Sequence, residues 1–507
     1  MKNPLKTLNT VFNFLGSLLI VLGFILLIPL IIVIIYGEIN SGSNTMFAFT
    51  LSAFISLLLG LVFKKLFKGG NPNPVQAIFI CSLGWVFVSA VGAIPFVISI
   101  NASYLDAYFE TMSGFTTTGI TMFTGLDEMP RSIIFWRAII QWVGGLGILT
   151  FFLAVVSQGG NAHKLFGAES HKINAARPVP GLANTVKILW GIYTFFTLVI
   201  IMGLIIVGSS VFDSICHSFT ALSTGGYSPY DESIAHYQQI GHANFIWIEY
   251  ILIFGMFLGG TNFLVHYRVL SGNVKAFFKT TEMKYWFGFI GIFSLIILLE
   301  RFVKLIPEGS LQLSNSQFWK LLESEFRNTL FQVVSIITTT GFGTVDIGSR
   351  FFGHVAKQLF LIMMVIGGCV GSTGGGIKIL RISLLTKVIR REINKLFSPK
   401  KAINYILLDK KIVDKDEIYR VSSLFFAWIF LLIIGGMVTA FFSNLDGYSS
   451  FSGMFSALGN IGPCYISVAE MGQLHPLIKI TYIFGMLAGR LEILPVLLLF
   501  SRRAWKY

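Results

Sequence analysis

Charge is what this sequence has least of. Only 12% of its 507 residues are Asp, Glu, Lys or Arg, and 54% are hydrophobic. A soluble domain carries roughly a quarter charged residues, so a bilayer, not water, is the expected solvent. Cysteine is scarce too: Cys81, Cys216, Cys369 and Cys464 lie far apart in apolar sequence. That spacing supports neither a disulfide framework nor a thiolate metal site and leaves packing as their expected role. The histidines, His163, His171, His217, His236, His242, His266, His354 and His475, show no HExxH or other ligand spacing, so no metalloenzyme is indicated. Acids are outnumbered, 24 against 38 Lys and Arg.

What is present is length without charge. Stretches such as Val11–Tyr36 and Ala427–Phe442 are almost wholly apolar and carry no charge, and the longest exceed the roughly 20 residues needed to cross a hydrocarbon slab about 30 Å thick. The first is too long for a signal core, lacks a small-residue cleavage site and is soon followed by a second span, so a retained anchor is expected. The net charge of +14 invites a nucleic-acid reading. Its distribution argues for topology instead, because the basic residues cluster at alternate ends of the spans, as cytoplasmic loops do. These clusters are Lys2 and Lys6, Lys64 to Lys68, the 164–187 linker, Arg268 to Lys284, Lys378 to Arg420 and Arg502 to Lys506. The opposite loops carry Glu38, Asp106, Asp127, Glu128, Asp231, Glu232 and Asp446, an outer mouth that attracts cations.

After the helix-breaking loop Gly69 to Pro74, one pattern recurs four times with a period of roughly 110–120 residues, suited to a pseudo-symmetric transporter. Each unit is a long span, a short semi-apolar segment and another long span. The short segments end in Ser113-Gly-Phe-Thr-Thr-Thr-Gly-Ile-Thr121, Ala221-Leu-Ser-Thr-Gly-Gly-Tyr-Ser228, Ile336-Ile-Thr-Thr-Thr-Gly-Phe-Gly343 and Ser456-Ala-Leu-Gly-Asn-Ile-Gly-Pro463. About 12 helical residues before each loop make a half-helix of roughly 18 Å, too short to span. Asp106, Asp213, Asn328 and Ser449 stand where N-caps are expected. Unpaired backbone at this depth survives only when it faces a protein-lined cavity.

Four such loops around an axis can present carbonyl oxygens that replace the water shell of a cation. Glycine at Gly119, Gly225, Gly341 and Gly462 permits the close convergence this needs. Hydroxyls of Thr116 to Thr118, Ser223, Thr224 and Thr338 to Thr340 can hold the loops or add a lower oxygen ring. The C-terminal ends of the half-helices add negative partial charge.

Phe115-Thr-Thr-Thr-Gly119, Ser223-Thr-Gly-Gly-Tyr227 and Thr338-Thr-Thr-Gly-Phe342, within this fourfold pattern, resemble the filter signatures of the Trk/Ktr/HKT superfamily of potassium transporters. The two leading spans resemble the TrkH-type membrane subunit. The fourth loop, Gly459-Asn-Ile-Gly-Pro463, departs from the pattern because no Thr precedes its glycine. The resemblance implies an all-α polytopic membrane protein with four pseudo-symmetric repeats around one pore and about ten full spans. Its units are 1–70 (two accessory spans), 71–160, 182–271, 283–396 with a broken last helix, and 417–507. The implied potassium sites are Thr116, Thr117, Thr118 and Gly119; Leu222, Ser223, Thr224 and Gly225; Thr338, Thr339, Thr340 and Gly341; and Asn460, Ile461 and Gly462. In this superfamily a serine at the first filter glycine goes with sodium permeation, so Gly119 implies potassium. No cofactor is expected beyond the transported ion. Implied partners are a second copy of the chain, a cytosolic nucleotide-binding TrkA-type regulatory subunit and membrane lipid, with no nucleic acid. The implied location is the bacterial cytoplasmic membrane, both termini inside.

Below the filter, Gly367-Gly-Cys-Val-Gly-Ser-Thr-Gly-Gly-Gly-Ile-Lys378 should break the last span of the third unit. Its glycine density suggests a phosphate-binding loop, but Gly376 is followed by Ile377 and not by Lys with Ser or Thr. The resemblance makes Gly367, Gly368, Gly371, Ser372, Thr373, Gly374, Gly375, Gly376 and Lys378 an intramembrane gate, with Arg490 beside the conduction path. An intramembrane arginine costs about 2.5–3.5 kcal/mol unless partnered, so Arg490 is either functional or salt-bridged, with Glu492 as a candidate. Two other functions stay open. A proton- or sodium-coupled secondary transporter would need an intramembrane acid, yet the acids here fall almost wholly in loops or at half-helix starts. A membrane-embedded lipid or polysaccharide enzyme would need paired acids or a nucleophile facing a cavity.

Overall fold

A computed structural model describes residues 4–40, 42–147, 182–305, 314–399 and 404–506. Of the linker expected at 164–187, residues 164–181 lie outside the described residues. Among the described residues the only sheet is a two-stranded hairpin, β1 (Leu407–Leu408) paired with β2 (Lys411–Ile412). Everything else regular is helix.

The principal helices are α1 (Pro4–Ile25), α2 (Thr45–Leu66), α3 (Pro74–Gly92), α4 (Tyr104–Phe115), α5 (Arg131–Gly145), α6 (Leu182–Ile206), α7 (Val211–Leu222) and α8 (Phe245–Gly260). They continue with α9 (Phe263–Leu270), α10 (Thr281–Leu305), α11 (Asn315–Ile337), α12 (His354–Val365), α13 (Ile379–Leu396), α14 (Lys415–Phe442), α15 (Gly447–Gly459) and α16 (Pro476–Arg490). Among the described residues six helices are long and apolar enough to cross a bilayer, and α8 with α9, bent by 104°, would add a seventh if the two form one broken span. Their outward faces carry exposed Phe24, Phe54, Leu198, Phe430 and Phe441, as lipid contact requires. The two leading spans cross closely: a Cβ on Gly16 would lie 2.7 Å from the carbonyl oxygen of Gly60, and Ser56 donates to the carbonyl of Leu19 at 2.7 Å.

Among the described residues fewer unbroken spans are present than the ten expected, because the helices following the loops stop early. Helices α5, α8, α12 and α16 end at Gly145, Gly260, Val365 and Arg490 after only 15, 16, 12 and 15 residues. The sequence reading gave a break to the third alone. In three of them a small residue is demanded by a neighbour: a Cβ on Gly144, Gly259 or Gly489 would strike the carbonyl oxygen of Phe115, Leu222 or Leu458. Those are the carbonyls at the ends of the half-helices α4, α7 and α15.

The N-caps also differ from expectation. Ser103 caps α4 by accepting from the amide of Asp106 at 3.1 Å, and Ser210 caps α7 by accepting from Asp213 at 3.0 Å. Asp446 caps α15 by accepting from Ser449 at 2.8 Å. Asp106, Asp213 and Ser449 are thus the third helical residues, where an N-cap side chain finds its donor. Helix α11 runs for 23 residues from a Ser314 capping box, which places Asn328 inside it.

Candidate functional site

The four short segments converge. In each, the helix ends in one left-handed residue: Thr117 (φ 54°), Thr224 (φ 53°), Thr339 (φ 62°) and Asn460 (φ 54°). The next residue donates its N–H back into the helix: Thr118 to Ser113, Gly225 to Thr220, Thr340 to Ser335 and Ile461 to Ser456, at 2.8, 2.9, 2.8 and 3.0 Å. Then comes a glycine with positive φ: Gly119 (82°), Gly226 (77°), Gly341 (91°) and Gly462 (108°). Such backbone is strained for any residue with a Cβ.

These glycines close a ring. A Cβ on Gly119 would collide with the carbonyl oxygen of Gly225, one on Gly226 with that of Thr340, and one on Gly341 with that of Ile461. A Cβ on Gly462 would come within 3.2 Å of the carbonyl oxygen of Thr118. Each loop therefore rests on the next, and the fourth returns to the first. The second loop is in a different register from the one read off the sequence: Gly226, not Gly225, matches Gly119, and Ser223 through Gly226, not Leu222 through Gly225, form the equivalent turn. The paired glycines Gly225-Gly226 left that choice open. The ring is also not uniform, since the side-chain amide of Gln141 donates to the carbonyl of Gly225 at 2.7 Å while its oxygen accepts from Tyr227 at 3.0 Å.

Hydroxyls brace the loops. Thr116 bonds Met112 at 2.6 Å and Thr118 at 2.8 Å, and Thr338 bonds Val334 and Thr340 at 2.7 Å each. The hydroxyls of the left-handed residues point to what lies beneath. Thr224 reaches Thr373 at 3.1 Å, Thr339 accepts from the amide of Gly375 at 2.7 Å, and Thr117 accepts from Arg490 at 3.0 Å. Asn460, in place of a fourth Thr, donates to Thr118 at 2.8 Å and to the carbonyl of Met486 at 3.0 Å.

Above the ring a cavity of about 590 Å³ is lined by all four ring glycines together with Asp231, Glu232, Asp346 and Glu470. Hydrogen bonds from the side chain and amide of Ser467 hold the Glu470 carboxyl below its ordinary value, so its charge persists into mild acid. Of the acids expected at this mouth, Asp231 and Glu232 line the cavity. Asp106 pairs with Lys479, Glu38 is buried against Ser132 and Asp446 caps a helix. Asp346 and Glu470 were not anticipated, although both follow shortly after a loop glycine.

Below the ring, Ile366 to Lys378 form a loop between α12 and α13. It is pressed against the segments of the ring: a Cβ on Gly374 would lie 2.9 Å from the carbonyl oxygen of Thr338, and one on Gly375 would lie 2.6 Å from that of Gly459. Arg490 ties the layers together. It donates to Thr117 (3.0 Å) in the first loop, to the carbonyl of Thr373 (2.7 Å), and to the carbonyls of Gly144 (2.5 Å) and Gly145 (2.7 Å) at the negative end of α5. Glu492 pairs with Arg381 at 2.5 Å. Among the described residues no group of three or more His, Cys, Asp or Glu is placed to hold a metal ion.

Comparison with known proteins agrees with this architecture. The family profile described as TrkH, cation transport protein, matches residues 46–507. The chain belongs to the TrkH family. The Trk system potassium uptake protein TrkH of Escherichia coli K12 is 32% identical over 97% of this chain and 98% of its own length. An uncharacterized cation transporter of Methanocaldococcus jannaschii is 30% identical over 99% of this chain and 97% of its own length. The crystal structure of the potassium transporter TrkH from Vibrio parahaemolyticus superposes with a TM-score of 0.83 at 29% identity, covering 98% of this chain and 99% of that one. TrkH-family proteins are transporters, which sets the enzyme reading aside, and the fold is that of a multi-pass, mostly helical membrane protein.

One expectation fails in this TrkH-family chain: acids do lie deep in its helices. Glu110 in α4 is buried against Arg137 at 2.9 Å, Glu249 in α8 against Arg327, and Glu325 in α11 against Arg301 at 2.7 Å. Arg137 also donates to the carbonyl of Ser228 at 3.0 Å and lies 4.1 Å from the centre of the Tyr227 ring. The pair thus fastens the first two loops to α5. Arg490 is legible as an intramembrane cation because its surroundings in sequence are apolar. Arg327 stands among the polar residues of the first half of α11, which hides it, whereas Arg137 lies in the apolar run Ile133 to Ile140 and carries the same signal as Arg490.

Proposed function

We propose that this chain takes up potassium across the bacterial cytoplasmic membrane through one passage at the centre of the loop ring. The observation that carries the reading is the closed cycle of contacts from Gly119 to Gly225, Gly226 to Thr340, Gly341 to Ile461 and Gly462 to Thr118. A cycle of four equivalent turns puts backbone oxygens at a common constriction, where they can replace a cation's water shell. The names of the relatives supply potassium as the ion.

On this reading the chain is four pseudo-symmetric units of span, half-helix, loop and span, preceded by two accessory spans. Potassium collects in the acidic cavity, dehydrates at the ring and meets the 366–378 loop, which obstructs the path as a gate. Arg490, directly beneath, opposes cation flow while the loop is closed. Passage is channel-like, and a membrane potential contributes about 2.3 kcal/mol per charge per 100 mV. Glu110, Glu249 and Glu325 are each engaged by an arginine, which leaves them poor proton carriers and weighs against coupled transport. Both termini face the cytoplasm, and the basic inner surface receives anionic lipid and a TrkA-type nucleotide-binding subunit, in keeping with the relatives being named for a Trk system. A second copy completes a homodimer.

The test is rubidium, potassium, sodium and lithium flux into proteoliposomes, with and without a proton gradient. Selective passive uptake of potassium and rubidium is expected. Uptake that requires the proton gradient would replace the channel-like reading with a coupled one, and no cation flux with a regulatory subunit supplied would overturn both.

A further inference from the structure

The 366–378 loop is also gripped from a second side. At the bend between α8 and α9 the helix leaves carbonyls without intrahelical partners, and the loop supplies donors: Cys369 to Gly260 at 3.0 Å and Thr373 to Gly259 at 3.1 Å. In return Phe263, at the start of α9, donates to the carbonyl of Gly371 at 3.1 Å. Behind this seam stands Glu282, second residue of α10 and only 5% exposed. One carboxylate oxygen accepts from the amide of Val370 at 2.6 Å, and the other accepts from the side-chain amide of Asn262, the bend residue, at 3.1 Å. A single buried carboxylate thus binds both the loop and the bend.

The helix that carries Glu282 is itself held from the cytoplasmic side. Asp409, at the tip of the β1–β2 hairpin, accepts from the amide and the hydroxyl of Thr281 at 2.7 Å each, an N-cap supplied by a distant segment. Asp409 and Lys410 are both left-handed, φ 46° and 68°, as a two-residue hairpin turn requires. A cavity of about 510 Å³, lined by Val370, Glu282, Asn262 and Asp409 among others, leaves room for this contact to rearrange.

We propose that Glu282 is the latch of the gate, a positioning residue that holds the 366–378 loop closed and that is released from the cytoplasm through the Asp409 hairpin. The inference rests on reading that loop as the gate. Glutamine at 282 would keep the shape but set an N–H donor against the amide of Val370 or of Asn262.

The experiment uses the thiol already beside the latch. With Cys81, Cys216 and Cys464 changed to serine, Cys369 is the remaining cysteine, and its modification by a small cytoplasmic methanethiosulfonate reports loop opening while rubidium uptake reports conduction. Glu282→Gln and Glu282→Ala are expected to raise both rates about tenfold, as loss of a charge-assisted hydrogen bond predicts. Asp409→Asn should shift both the same way by less, and Glu282→Asp serves where the larger changes do not fold. Cys369 that stays protected in folded Glu282 variants overturns the latch. Exposed Cys369 with unchanged rubidium uptake overturns the loop's role as gate, and absence of uptake in every variant, the unmodified chain included, overturns transport itself.

Discussion

Arg490 donates to the hydroxyl of Thr117 at 3.0 Å while the same nitrogen reaches the carbonyl of Thr373 at 2.7 Å. One guanidinium therefore spans the floor of the first loop and the segment beneath it, and its removal should loosen that junction and lift a positive barrier together. Arg490→Ala is expected to raise rubidium flux about tenfold, the effect of lowering a barrier by about 1.4 kcal/mol. Arg490→Lys, which keeps the charge but not the fork of donors, should leave flux nearer the unmodified rate.

The register of the second loop can be read from a pair of alanine variants. Gly226 has φ 77° and abuts the carbonyl of Thr340, whereas a Cβ on Gly225 would meet the side chain of Gln141. Gly226→Ala carries the left-handed penalty of about 1–2 kcal/mol in addition to its backbone collision. Potassium flux and discrimination against sodium should fall further in Gly226→Ala than in Gly225→Ala. The reverse order would restore the register read from sequence.

Breaking a buried ion pair strands a charge. Arg137→Gln leaves Glu110 buried without its cation and should destabilise the protein by about 3–5 kcal/mol. Thermal unfolding in detergent should show a marked fall in Tm, partly recovered in the double variant Glu110→Gln, Arg137→Gln.

Vestibule acids act through field more than contact. Asp231→Asn and Asp346→Asn should each raise the half-saturating potassium concentration at low ionic strength. The difference should shrink as salt rises, since screening shortens to about 8 Å near 0.15 M. An effect indifferent to ionic strength would mean that these carboxylates bind the ion directly.

The helical architecture and the four converging loops were legible because both depend on local composition: apolar length defines a span, and Thr-Gly clusters end helices. The break at 367–376 was legible for the same reason. The breaks at Gly144, Gly259 and Gly489 were not, because a single glycine inside an apolar run says nothing of the carbonyl packed against it. Partnering was equally hidden. Glu282 and Val370 are 88 residues apart, and nothing around Glu282 in sequence distinguishes it from a topological charge. The register of Gly225 and Gly226 was lost because either glycine satisfies the composition, while only one meets the next loop.

The loops and the arginine below them belong to one polypeptide, and that fact has an arithmetic consequence. A pore assembled from identical subunits can alter its lining only in multiples of the subunit number, so one arginine would become several cations crowding the axis. Here Arg490, the 366–378 loop and Asn460 each occur once, and on the proposed reading each adjusts the pathway by a single unit of charge, length or hydrogen bonding. A fused chain can tune its barrier in increments that a symmetric assembly cannot make.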